Sequence, residues 1–276
     1  MDTSNLAGRT ALVTGAGSGI GRETALLAAR RGADLVVCDL NEEGLAETEA
    51  AARTLGRDVI ARKVDVADRD QMRDFASAVH EQVTAVDLLV NNAGVGLAAD
   101  FLDTELSDWD WIVSINVMGV VHGCHLFVPP MVERGGGGHV VNLSSAAGYF
   151  ATPALGAYTT TKFAVLGLSQ SLRVELAPHG IGVTAICPGV INTPITQSSR
   201  ARGDHADPER REEVVRAYRR RGYGPDRVAR NILKAVDRNR PVGPISPEAW
   251  FAYALTRVSP RLANWTARRL TDATGR

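Results

Sequence analysis

Short runs of adjacent apolar residues alternate along this chain with longer stretches in which apolar positions recur every three to four residues. The runs at 10–13, 34–38, 58–64, 87–90, 139–143 and 182–187 are apolar at consecutive positions, the pattern of strands covered on both faces. Helical spacing fills the stretches near 20–31, 42–55, 68–82, 107–133 and 157–178. Strand and helix in alternation predict an α/β fold, a doubly wound parallel sheet with helices on both sides. In such a sheet ligands bind beyond the carboxyl ends of the strands, where the strand order reverses.

No Pro/Gly/Ser-rich linker divides the 276 residues, so a single domain over 1–276 is expected. Two additions stand out. After Thr193 a polar loop, 197–206, leads to a helix with Asp207 as cap, Pro208 at its first position, acids at Glu209, Glu212 and Glu213, and Arg219-Arg220-Arg221 at its far end. Gly222 and Gly224 stop it, and Val214, Val215 and Tyr218 are free to face inward. Its charge is read as a solvated face, not as a sign of an anionic substrate. Beyond Arg240-Pro241-Val242-Gly243-Pro244-Ile245, an extension over about 246–276 carries Trp250, Phe251, Ala254, Leu255 and Val258 at helical spacing, with Leu262 and Trp265 after Pro260. From Asp237 onward there are seven Arg against two Asp and one Glu. Such a tail suits a helix pair packed on its own or a partner subunit, a cap on an apolar pocket, or peripheral contact with a membrane surface.

Lys plus Arg and Asp plus Glu both number 31, so there is no basic footprint for nucleic acid. Cys38, Cys124 and Cys187 lie in apolar elements without His or Cys partners at ligand spacing, and they read as buried thiols with no metal site. No apolar stretch is seen to approach the length of about 18 residues that spans a bilayer, and the start, Met1-Asp2-Thr3-Ser4-Asn5, is polar. A cytoplasmic protein is the expectation.

The strand at 10–13 runs straight into Thr14-Gly15-Ala16-Gly17-Ser18-Gly19-Ile20-Gly21, followed by a helical pattern. Strand, glycine turn and helix N-terminus make a dinucleotide cradle, because glycine lets the backbone approach a pyrophosphate and the helix end favours its charge. The next strand ends in Asp39, 24 residues after Gly15, the distance at which a carboxylate reaches the adenosine ribose. An acid there accepts from the free 2′-hydroxyl of NAD and repels the 2′-phosphate of NADP. NAD is therefore preferred, and the turn position where a base would meet that phosphate is Ser18. The competing reading is that Asp39 or Asn41 caps the helix starting near Glu42.

Tyr158 and Lys162 stand at i and i+4 in Tyr-Thr-Thr-Thr-Lys, with Ser145 thirteen residues earlier, just past a β-patterned run. A phenol and an ammonium on one helix face can serve one substrate together, the cation favouring the phenolate. The same pair is also an ordinary helix face. What singles it out is that only Lys63, Lys162 and Lys234 are lysines, the other 28 bases being Arg, and a point charge is not interchangeable with a guanidinium here.

With Asn91-Asn92-Ala93-Gly94, Asn116 and Pro188-Gly189, these motifs resemble the short-chain dehydrogenase/reductase family in its single-domain branch, in order over residues 6 to about 240. The resemblance implies a Rossmann-type fold. It implies that Tyr158 is the acid/base, that Lys162 lowers its pKa and bonds the nicotinamide ribose, that Ser145, not Ser144, holds the substrate oxygen, and that Asn116 anchors a water behind Lys162; a purely structural Asn116 stays open. Cofactor contacts are implied at Gly15, Ser18, Gly19, Ile20, Gly21, Asp39, at Asp65 and Val66 toward adenine, at Asn92, Ala93 and Gly94 under the ribose, and at Pro188, Gly189 and Thr193 along the nicotinamide. Asp65 could instead cap a helix, and Asn91 could be a strut. The implied activity is an NAD-dependent oxidoreductase interconverting a secondary alcohol and a ketone on a fairly apolar small molecule. An NADP-dependent carbonyl reductase and a catalytically silent NAD-binding sensor or scaffold are the alternatives. A homodimer or homotetramer is expected, with Phe163, Leu166 and Leu168 available for pairing between subunits.

Overall fold

The computed structural model describes residues 1–273, except for the side chains of 196, 197, 260, 264, 268 and 270–273. The last three residues of the extension expected over 246–276 lie outside the described residues. Nine strands follow in chain order: β1 (Thr10–Thr14), β2 (Asp34–Asp39), β3 (Val59–Lys63), β4 (Leu88–Asn91), β5 (Leu97–Ala98), β6 (Gly138–Leu143), β7 (Ile181–Pro188), β8 (Arg200–Ala201) and β9 (Val242–Ile245). Seven of them form a parallel sheet in the order β3-β2-β1-β4-β6-β7-β9. The order reverses between β1 and β4, where Leu12 lies opposite Leu89 and Val13 opposite Val90. This is the doubly wound Rossmann-type α/β architecture, and the reversal point is where its ligands bind.

The helices are α1 (Gly19–Arg30), α2 (Glu42–Thr54), α3 (Arg69–His80), α4 (Leu106–Val113), α5 (Gly119–Arg134), α6 (Gly156–Leu176), α7 (Ile195–Ser198), α8 (Pro208–Arg221), α9 (Pro225–Asp237), α10 (Pro247–Val258) and α11 (Pro260–Ala273). Short polar caps begin several of them. Asn41 accepts from Gly44 N and starts α2, and Asp68 accepts from Asp70 N and Gln71 N and starts α3. Asp207 accepts from Arg210 N at 2.9 Å to start α8, and Gly222 at φ +64° ends it, as the sequence predicts.

The strands bury both faces. One layer of core joins Val13, Leu35 and Val90 to α1 and α9, and the other joins Leu12, Val36 and Leu89 to Phe75 of α3 and Phe127 and Met131 of α5. Leu166, expected at a subunit interface, packs instead within the chain against Ala185, Cys187 and Val242.

Several elements differ from the sequence reading. The helix expected over 107–133 is broken by a π-helical turn at Ser114–Met118. By length and composition its whole run, Leu106–Arg134, is long and apolar enough to cross a membrane, contrary to the expectation that no stretch reaches that length. It lies in the core, with Ile112, Val120, Phe127 and Met131 buried. The helix α9 and the strand β9 were not foreseen. Pro244 sits in β9, which is tolerated because β9 is an edge strand and needs no donor on its outer side. The small pair β5 and β8, also unforeseen, joins the loop after β4 to the segment before α8.

Candidate active site

The carboxyl ends of β1 and β4 are stapled together. Thr14 Oγ1 accepts from Asn92 N at 3.0 Å and Ala93 N at 3.1 Å, while Asn92 Nδ2 donates back to the carbonyls of Thr14 and Gly15 at 2.9 and 3.1 Å. Gly15 takes φ +66°, and a Cβ there would come within 2.8 Å of Ala93 Cα. A Cβ on Gly21 would overlap the Gly15 carbonyl oxygen, so this glycine lets α1 press on β1 and does not itself line the cavity. Asn91 is a strut, its Nδ2 donating to Asn142 Oδ1 at 2.8 Å.

Over this staple opens a cavity of about 830 Å³. Gly15, Ser18, Gly19 and Ile20 line it, with Asp39 at the end of β2, Asp65 and Val66 after β3, and Asn92, Ala93 and Gly94 after β4. Ser145, Tyr158 and Lys162 line it too, as do Pro188, Gly189 and Thr193 after β7. Of the sequence-predicted residues only Gly21 and Asn116 stand back from it.

The two capping alternatives resolve. Asn41, not Asp39, caps α2; Asp39 accepts from Gly17 N at 2.7 Å and Asn41 N at 2.8 Å, which fixes its carboxylate on the cavity wall. Asp68, not Asp65, caps α3, and Asp65 turns its own loop by accepting from Ala67 N at 2.9 Å. Arg22 is spent away from the turn's face, donating to the carbonyls of Gly17 and Gly44 and pairing with Glu47.

Ser145 leaves β6 in extended conformation, accepts from Ala147 N at 3.1 Å and donates to the Pro188 carbonyl at 3.4 Å, so it ties the ends of β6 and β7. Ser144 is buried and donates to the Lys162 carbonyl at 2.8 Å, fixing α6 to the same corner. Lys162 donates through Nζ to the Leu143 carbonyl at 2.9 Å and lies 5.5 Å from the centre of the Tyr158 ring.

Burial sets the electrostatics of the pair. It pushes the Tyr158 phenol up to about 12, with Ser145 beside it drawing it down. Burial in turn brings the Lys162 ammonium down to about 8. Asn116 is held at both ends of its amide. Its amide oxygen accepts from Val95 N at 2.8 Å, and its Nδ2 donates to the Val95 carbonyl at 2.9 Å and to Thr161 Oγ1 at 3.2 Å. The side chain is thus a brace between the loop after β4 and α6, inside the π turn.

The cavity fits a dinucleotide. At the first turn of α1, Ser18 stands at the cap position without a side-chain cap bond, which leaves the helix end to an anion. A Cβ on Gly19 would meet the side chains of Thr193 and Pro194 at 3.6 Å, so the loop after β7 faces the glycine turn closely.

The outer walls come from residues that no motif marked. Glu248 of α10 accepts from Val190 N at 2.9 Å and pairs with Arg221, the last residue of α8. Tyr149 donates to the Ala249 carbonyl at 2.7 Å, fastening α10 beside Ser145. Asp108, fully buried, binds Arg202 through two contacts of 2.9 and 3.0 Å and lies 3.5 Å from Arg200, whose guanidinium stacks on Trp111 at 3.8 Å. Phe150, Tyr218, Phe251 and Thr266 complete the lining. Trp250 and Trp265 of the tail stay largely exposed.

The short chain dehydrogenase family model matches residues 9–204. The protein named "Probable oxidoreductase EphD" of Mycobacterium tuberculosis H37Rv is 43% identical over 260 residues, covering 93% of this chain and 44% of its own length. The chain thus spans less than half of that relative. A short-chain dehydrogenase/reductase of Burkholderia phymatum, solved in complex with NAD, is 34% identical with TM-score 0.80, covering 87% of this chain and 89% of that one. Carveol dehydrogenase of Mycobacterium avium, also solved with NAD, is 34% identical with TM-score 0.65 over 67% of this chain and 72% of that one. The chain belongs to the short-chain dehydrogenase/reductase family of oxidoreductases.

Proposed function

We propose that this protein is an NAD-dependent oxidoreductase that interconverts a secondary alcohol and a ketone on a fairly apolar small molecule. The observation that carries the reading is the shared cavity, in which the glycine turn, Asp39, the Asn92–Gly94 turn, Ser145, Tyr158 and Lys162 all meet. When bound, the nicotinamide supplies or accepts the hydride at the substrate carbon. Ser145 and the Tyr158 hydroxyl, both on the cavity wall, hold the substrate oxygen between them. Tyr158 gives its proton to that oxygen in reduction and takes it back in oxidation. Lys162, whose ammonium is lowered to about 8 by burial, is poised to pass a proton or to bond a ribose hydroxyl near neutral pH. Asp39 on the cavity wall favours a free 2′-hydroxyl, which supports NAD over NADP. The NAD complexes of the two structural relatives support the same choice.

The test is nicotinamide absorbance with a panel of apolar secondary alcohols, using NAD and NADP in parallel and the Tyr158→Phe variant alongside. The expected result is turnover with NAD that falls by roughly 10²- to 10⁴-fold in the variant while NAD affinity holds. Undiminished turnover in Tyr158→Phe would remove the tyrosine from the reaction, and faster turnover with NADP would reverse the cofactor assignment.

A further inference from the structure

The cations around the outer half of the cavity are not equivalent. Arg200 is stacked on Trp111 and faces Asp108, and His205 lies 3.7 Å from Asp100. Arg221 pairs with Glu248, and Arg211 donates to the Ser199 carbonyl at 3.0 Å. Arg210 lines the same wall, half-buried, and among the described residues its guanidinium makes no ion pair and no hydrogen bond. The carboxylates that line the cavity are Asp39 and Asp65 at the dinucleotide end and Glu248, which is already engaged with Arg221. A guanidinium keeps its charge under all ordinary conditions and binds a carboxylate through paired donors, so the partner missing from the protein is one that a ligand can bring.

The spacing sets what that ligand must look like. Arg210, Val214 and Tyr218 follow one another at i, i+4 and i+8 on the face of α8 that lines the cavity. Eight residues of helix rise about 12 Å. At the far end Tyr218 is near enough to Tyr158 to act electrostatically on its phenol. The same cavity offers apolar surface from Val214, Phe150, Leu155, Ile195 and Phe251.

We infer that the substrate is amphipathic, an apolar body that carries the reacting carbon at one end and a carboxylate seated on Arg210 about 12 Å away. This rests on the reading of Tyr158 as the reacting group. The charge on the outer face of α8 is solvated, as its sequence suggests, whereas Arg210 lines the cavity, and the inference goes beyond that reading of the helix.

Two readouts separate this inference from the reading beneath it. Calorimetric binding to the full chain with NAD compares long-chain oxo acids, bearing the ketone beside the terminal methyl, with their methyl esters. Reduction of the same compounds is followed with NADH. The acids should bind at least about tenfold more tightly than the esters, with an optimum chain length, and Arg210→Met should erase that margin while Arg210→Lys keeps part of it. Equal binding of acid and ester, or a margin that survives in Arg210→Met, overturns the inference whether or not reduction is seen. Preferential binding of the acids without any reduction leaves the anion seat standing and sinks the proposed reaction instead.

Discussion

The two ends of the cavity are held together by different means. At the dinucleotide end the closest contacts are backbone on backbone: Gly15 lies against Ala93, and α1 touches β1 where Gly21 has no side chain. At the outer end the fastenings are side chains that meet across long stretches of sequence. Asp108 and Arg202 are 94 residues apart, Val190 and Glu248 are 58 apart, and Tyr149 and Ala249 are 100 apart. A backbone contact leaves no room for change, because any added atom collides with it, whereas a side-chain pair can be exchanged for another without moving the sheet. The fold therefore holds the cofactor geometry rigidly and lets substrate choice vary on the same frame.

The sharpest test of the rigid end is to add one methyl group there and one at an exposed position of α6 as the reference. In Gly21→Ala the new carbon would collide with the Gly15 carbonyl and lie 2.5 Å from Asn92 Nδ2. Helix α1 must move off β1, at a cost of about 3 kcal/mol in unfolding free energy, and NAD affinity should collapse with it. In Gly167→Ala, where a Cβ meets nothing within 4 Å, stability should change little or improve slightly, since alanine suits a helix interior better. Urea midpoints and NAD titrations of the two variants decide the matter; equal behaviour would mean that the glycine turn is not the rigid end.

The same contrast explains what could be read from the chain without its structure. The glycine turn, the acid at Asp39 and the Tyr158–Lys162 pair each depend on spacing within one or two adjacent elements, so order along the chain is enough to show them. The roles of Asp108 and Glu248 depend on which distant segment folds over them, and no periodicity marks that. Two of the missed elements had different reasons. Pro244 disguised β9 as a loop. By contrast, Val228, Ala229, Ile232, Leu233 and Val236 follow Pro225 at helical spacing and are all buried, so the signal for α9 was present. Asn116 shows a third case: the sequence marked a buried amide in need of partners, but only the fold shows that Val95 and Thr161 satisfy it.

At the outer end, Asp108→Ala should cost less than Gly21→Ala, about 2 kcal/mol, because Arg200 and Arg202 can turn to solvent once their acceptor is gone. The consequence for catalysis should fall on one side only. The segment carrying β8 and the approach to α8 loses its anchor, so KM for substrate should rise several-fold while NAD affinity stays near its wild-type value. A matching fall in NAD affinity would show that the two ends are coupled.

Lys162 stands on the boundary between the ends, and it makes the smallest and most specific prediction. Its ammonium is buried, with burial bringing it from 10.5 down to about 8. The folded state therefore releases this proton at lower pH than the unfolded chain does. Below about pH 8 both states keep the proton, and the buried charge is a constant burden on the fold. Between about pH 8 and 10.5 the folded state has lost it and the unfolded state still holds it, so this group's contribution to stability rises with pH across that window. Lys162→Met removes the titration. The wild-type protein should therefore gain on the variant by about 1 kcal/mol on going from pH 7 to pH 9, even though turnover is lost in the variant. Cys38, Cys124 and Tyr158 titrate in both proteins and drop out of the difference between the two unfolding curves, which carries the lysine together with the Cys187 thiol it acts on. A difference that stays flat from pH 7 to pH 9 would mean that the ammonium keeps its proton in the fold through its bond to Leu143, and that Lys162 acts as a fixed charge instead of a proton carrier.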